Sequence, residues 1–261
     1  MKHPLLRPIL AACSAVLAWT AAPASAQLAP EMSFYAQDIP FVYDSNPEPV
    51  HQLQYAGVNL LNVDLGQSGY VYDFCADFFN GNGEFNSYSL DPDLSSLSNI
   101  QQAEIRSLLS HALPTFVETM NAYIVANGGD WGENTTNLAN EFNGVTGYAA
   151  GIQIALWEII HEQTSDRSID TEGAIAGSFA VEPVPGSPSN PRAEIGRANA
   201  EDFLTAIRNG TWTDAGGISY YYVNPDAPAE QDRLWVTMVP EPSSSLLCAA
   251  GLLIALRRRR G

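Results

Sequence analysis

Apolar residues alternate with polar ones, or gather with β-branched and aromatic residues, at Met32 to Ile39, Val58 to Leu65, Tyr70 to Phe79, Gly177 to Val181, Ile218 to Val223 and Leu234 to Val239. Each stretch predicts a strand. Helical spacing predicts three longer elements: Ser98 through Leu108 to Tyr123, Tyr148 to Gln163, and Arg192 to Arg208. Pro114 predicts a kink or break in the first, because its ring removes a backbone donor. A Gly- and Asn-rich loop from Asn127 to Asn137 and a Pro-rich loop from Pro183 to Pro191 separate the helices. Strands on either side of a helical middle predict an α+β domain. Its form would be an antiparallel β-sandwich or barrel-like part with an inserted helical subdomain at roughly residues 95–210.

The two ends follow a different pattern. Lys2 and Arg7 begin a segment with an apolar stretch from Pro8 to Trp19 and the small residues Ala24, Ser25 and Ala26 just before Gln27. That pattern predicts a secretory signal peptide over residues 1–26. At the other end Val239, Pro240, Glu241 and Pro242 precede three serines, an 11-residue apolar run from Leu246 to Leu256, and Arg257 to Arg260. The run is well short of the roughly 20 residues a stable spanning helix needs, and its basic end would stay on the cytoplasmic side. In order and position, residues 239–261 resemble the PEP-CTERM sorting signal of Gram-negative bacteria. The resemblance implies transient membrane contact through the tail, cleavage by an exosortase-type membrane protease, and delivery to the cell surface or extracellular matrix. The simpler reading is a weak membrane anchor that is never cut.

Composition narrows what the remaining 27–238 domain can do. The chain has 261 residues, 46% of them hydrophobic, enough for a real core and unlike collagen, a coiled coil or a disordered chain. Twelve basic against 29 acidic residues give a formal charge of -17, which argues against a nucleic-acid partner. Between the two end segments the basic residues are Arg106, Arg167, Arg192, Arg197, Arg208 and Arg233, with no lysine at all. Cys13 and Cys248 fall within the end segments, so the body keeps Cys75 alone and can form no internal disulfide. A lone thiol in an exported protein is a reactive group, an intermolecular bridge, or an ordinary buried cysteine.

One polar residue breaks the helical pattern. On a helix turning about 100° per residue, Ala149, Leu156, Trp157 and Ile160 fall on the same side as Gln153, while Glu158 and Glu162 fall on the opposite side. Gln153 is central on the apolar face, and an amide buried there must find hydrogen-bond partners or cease to be an ordinary amide. Backbone groups of an adjacent sheet could satisfy it. Alternatively it could be covalently bonded, with Cys75 as the candidate partner. Attack of the Cys75 sulfur on the Gln153 side-chain carbonyl, with loss of ammonia, would give an internal thioester. Such a bond lasts only where apolar side chains limit water, and Tyr72, Phe74, Phe78 and Trp157 are suited to that role.

Phe74-Cys75 and Gln153-Ile154-Ala155-Leu156-Trp157 resemble the two short motifs of the thioester domains of bacterial surface adhesins: an aromatic or Leu before Cys, and a Gln, any residue, Ala, an aliphatic and Trp. Ile152 stands where that family often has Thr. The resemblance covers roughly Val58 to Gly210. It implies that Cys75 and Gln153 are the bonded pair and that a β-rich domain carries a helical subdomain. It also implies covalent capture of an amine or hydroxyl on a surface protein or polysaccharide, once per molecule, as a binding module that needs no cofactor and turns nothing over. A body without lysine would spare its own thioester from amine attack; a high-GC genome and an acidic surface adapted to salt give the same composition.

Rival chemistries leave weaker marks. Cys75 with His51, His111 or His161, completed by Asn143 or an Asp, would make a cysteine hydrolase or acyltransferase, but no hydrolase signature surrounds the cysteine. One cysteine and dispersed histidines lack zinc spacing, and Asp91-Pro-Asp93 lacks the spacing of an EF-hand, so no metal is expected. Asn134-Thr-Thr136 and Asn209-Gly-Thr211 match glycosylation sequons, whose meaning fades beside a bacterial sorting tail. The remaining alternative is a non-covalent matrix protein with an inert Cys75.

Overall fold

The structure is a computed structural model that describes residues 32–45, 48–61, 70–77, 88–92, 94–128, 139–162, 169, 179–181, 190–225 and 231–239. The expected signal peptide, Pro240 to Pro242 of the sorting motif, Phe78 and the Asn134 sequon lie outside these residues. The described strands are β1 (Met32–Ser45), β2 (Glu48–Leu61), β3 (Val71–Cys75), β4 (Tyr88–Pro92), β5 (Phe179–Val181), β6 (Ile218–Pro225) and β7 (Arg233–Met238). The helices are α1 (Asn99–Ala126), α2 (Ala139–His161) and α3 (Pro191–Arg208). The α+β class is as expected. The strands join one sheet in the order β4-β6-β7-β3-β2-β1-β5, and every pairing is antiparallel.

The sheet has two distinct faces because side chains alternate along each strand. Phe34, Val58, Leu60, Tyr72, Phe74, Tyr220, Tyr222, Leu234 and Val236 all point to one side, where they form a single buried cluster with the helices. On the opposite side Leu61, Val71, Tyr88, Val223 and Trp235 make a smaller cluster, with Tyr88 edge-on to Trp235 at 4.9 Å between ring centres. Both sides of the central strands are therefore dry.

Capping and apolar spacing explain the helices. Ser98 opens α1 with a capping box: its hydroxyl accepts from the Gln101 backbone N–H, and Gln101 Oε1 accepts from the Ser98 N–H at 3.0 Å. Ile105, Leu108, Leu109, Ala112, Leu113, Phe116, Met120 and Tyr123 then form one buried stripe. Pro114 sits inside this helix without ending it. The buried Leu113 and Phe116 on either side of it are held in the core, and that packing outweighs the lost donor.

α2 starts nine residues before the expected Tyr148, and from Ala149 to Ile159 every residue is buried. The polar face read from the sequence is overturned here, since Glu158 is fully buried and Glu162 nearly so. α2 lies between the sheet and the other two helices, so from Ala149 to Ile159 no side of it faces water. Its approach to α3 depends on glycine. A Cβ on Gly147 would fall 2.6 Å from Ile195 Cβ, one on Gly151 2.6 Å from Asn199 Cβ, and one on Gly196 2.9 Å from Ala150 Cβ.

Two substitutions in α2 should therefore have opposite effects in urea denaturation. Gly151→Ala is expected to destabilise by about 1–3 kcal/mol, the usual cost of overpacking a close contact. Gly144→Ala meets nothing within 4 Å. It is expected to stabilise by about 0.5–1 kcal/mol through helix propensity alone. Among the described residues no helix is long and apolar enough to cross a membrane.

Candidate functional site

The two residues singled out by the sequence meet. Gln153 is fully buried, and its side-chain amide lies against the backbone of Cys75: Oε1 accepts from the Cys75 N–H at 2.9 Å, and Nε2 donates to the Cys75 carbonyl at 2.7 Å. A primary amide offers one acceptor and one donor side by side, the same pair a neighbouring strand would offer.

The sheet is open at this point. Pairing between β2 and β3 stops at Asn59↔Asp73, and the same register would next place Gly57 opposite Cys75. β2 instead stays with β1, where Gly57 pairs with Tyr35. A Cβ on Gly57 would collide with the Phe34 carbonyl and lie 2.7 Å from Tyr35 Cδ1, so only glycine permits this approach. The Gln153 amide occupies the place that the β2 backbone leaves. On its other edge β3 continues normally: Cys75 pairs with Arg233, and Ala76 N–H donates to the Asp232 carbonyl at 2.9 Å.

Tyr72, Phe74 and Trp157, expected to screen the bond, are buried with Cys75 in the same cluster. Tyr72 meets Phe116 edge-on, and Trp157 stands one helical turn after Gln153. Strand alternation puts Tyr72 and Phe74 on the helix side of β3 and turns the Cys75 side chain, which at the strand's end also joins the helix-side cluster, toward Asp73 and Arg233. The sulfur side holds a buried polar network that the sequence reading missed. Asp73 Oδ2 accepts from Arg233 Nη1 at 2.8 Å and from Asn59 Nδ2 at 2.9 Å, and Asp73 Oδ1 accepts from Trp235 Nε1 at 3.1 Å. Asn59 Oδ1 accepts in turn from Ser33 Oγ at 2.8 Å and from the Tyr35 hydroxyl. The only signal in the sequence was an Asp within one apolar strand and an Arg opening another, and that pair becomes visible only once register joins β3 to β7.

Burial pushes the Cys75 thiol up to about 12, against the pull of Arg233 and with Asp73 and Asp77 adding to the rise. Burial likewise raises Tyr35, helped by the negative charge of Cys75 and Asp73. A cysteine enzyme needs the opposite, a thiol lowered by a nearby base.

The other candidates serve elsewhere. His161 Nε2 donates to the Ala76 carbonyl at 2.8 Å, and burial lowers the imidazole, partly offset by that bond and by Asp77. His111 Nε2 donates to the Thr213 carbonyl at 2.9 Å, and its ring stacks on Trp212. Asn143 Oδ1 accepts from Arg192 Nε ten residues before Gln153, about 15 Å away along α2. His51 belongs to β2, but its side chain is outside the described residues. The Asp91 carboxylate caps a turn, accepting from Ser95 Oγ and the Ser96 N–H. No group of three or more His, Cys, Asp or Glu among the described residues is placed to hold a metal ion. No protein-family model matches the chain, and neither a curated protein nor a solved structure gives a significant match.

Proposed function

We propose that this is an exported surface or matrix protein in which Cys75 and Gln153 condense to an internal thioester that captures a nucleophile on a partner surface. The observation that carries this reading is the paired hydrogen bonding of the Gln153 amide to the Cys75 backbone in a fully buried slot. The N–H that holds Oε1 belongs to the residue that bears the thiol. It is placed to stabilise negative charge on that oxygen when the neighbouring carbon is attacked.

The chemistry balances without a cofactor. The Cys75 sulfur adds to Gln153 Cδ, the Cδ–Nε2 bond breaks, and nitrogen leaves as ammonia with the thiol proton. On capture, an amine or hydroxyl adds to Cδ, the C–S bond breaks, and the thiol is restored. The target remains joined to Gln153 by an amide or ester. Tyr72, Phe74 and Trp157 keep bulk water from the reactive carbon in the interval. The tail that resembles a sorting signal supplies the route to the surface.

Intact-mass measurement of the native protein is expected to show one ammonia missing and no alkylatable thiol, and methylamine is expected to add and release the thiol. A full mass together with stoichiometric alkylation would instead establish the non-covalent matrix protein with an inert Cys75.

A further inference from the structure

Tyr35, Gly57, Cys75 and Arg233 lie in one row across four adjacent strands, by the registers β1–β2, β2–β3 extended by two residues, and β3–β7. Because both hydrogen-bonding groups of Cys75 turn toward Gln153, the Cys75↔Arg233 pair is the non-hydrogen-bonded kind, in which side chains stand closest. Arg233 is 5% exposed and Asp73 3% exposed, and their ion pair fixes the guanidinium on the sulfur side of β3. On the other flank the Tyr35 ring lies beside Gly57, which has no side chain to keep it away.

We infer that Arg233 is the electrostatic partner of the Cys75 sulfur, and that Asp73 is the positioning residue that holds it there. This rests on the thioester reading and adds to it the element that governs its rate. When an amine attacks Gln153 Cδ, the electron pair of the breaking C–S bond goes to sulfur. A thiolate exists until it takes the proton the amine gives up. In a dry site that charge is costly, and a fixed guanidinium beside it lowers the cost. The same charge assists the reverse event, when the sulfur loses its proton to attack the amide and ammonia departs. Tyr35, Asp73, Asp77, Asp232 and His161 are other titratable groups around the strand end; Asp73 and Asp77 oppose a thiolate, and Arg233 favours it.

The test uses the mature chain and methylamine, with intact mass reporting condensation and capture, and a melting curve reporting the fold. The double variant Asp73→Asn with Arg233→Gln removes both charges and leaves neither buried alone. It is expected to fold but to condense incompletely or to capture about tenfold or more slowly. Arg233→Lys keeps the charge and is expected to restore capture to within about threefold of the parent. A folded double variant that condenses and captures at the parent's rate would overturn the inference while leaving the thioester reading intact. An Arg233→Lys variant as slow as the double variant would overturn it equally. A parent protein that retains its ammonia would overturn the thioester reading itself, and this inference with it.

Discussion

Gln153→Ala and Cys75→Ala are both expected to abolish methylamine capture, and of the two uncondensed variants Gln153→Ala is expected to have the weaker fold. The difference follows from what each side chain does. Alanine at 153 strands the Cys75 N–H and carbonyl in a slot that water does not reach, at about 1–3 kcal/mol for each unsatisfied group. Alanine at 75 removes the sulfur, but both backbone groups and the amide that holds them remain. Urea denaturation alongside intact mass separates the two effects. Equal stability of the two variants would show that the amide is not needed to close the gap between β2 and β3.

Asp73→Ala is expected to be the most destabilising single change in the sheet, at about 3–5 kcal/mol, because it leaves the buried Arg233 guanidinium without its counter-charge. Asn59 Nδ2 and Trp235 Nε1 lose their acceptor at the same time. Replacing both Asp73 and Arg233 with apolar residues of similar volume is expected to recover most of that loss, since no charge then lies unpaired. Thermal melting of the single and double variants measures this directly. A double variant as unstable as Asp73→Ala would show that the Asn59 and Trp235 hydrogen bonds, and not the ion pair, dominate.

What can be read from the sequence is what depends on period. The 3.6-residue spacing in α1 and the alternation in β3 and β7 are local; α1 and β7 fall near their expected limits, while β3 ends at Cys75, four residues short of the expected Phe79. Gln153 stands out because it interrupts an apolar face, and a buried amide needs partners wherever the chain places it. The parts set by long-range contacts are hidden. The first turns of α2 contain Asn140, Asn143, Gly144 and Gly147, which read as loop until α3 is seen packed on Gly147. Glu158 reads as solvent-facing because nothing local says that α2 is covered on all sides. The stretch Glu48 to Gly57 is too polar to suggest a strand alone, and it owes its extended form to pairing with β1. Asp73 and Arg233 lie far apart in the chain, and only register makes them partners.

The slot filled by Gln153 also determines how pulling forces would travel. On the proposed chemistry a captured target hangs from the side chain of a helix, and after capture no covalent bond to β3 shares the strain. Tension would enter α2 near its middle and spread sideways through the glycine contacts with α3 and through the apolar face against the sheet, a broad interlocked seat instead of a single strand end. Such a tether would fail by extracting a whole helix from the core, and not by peeling a strand from the edge of the sheet.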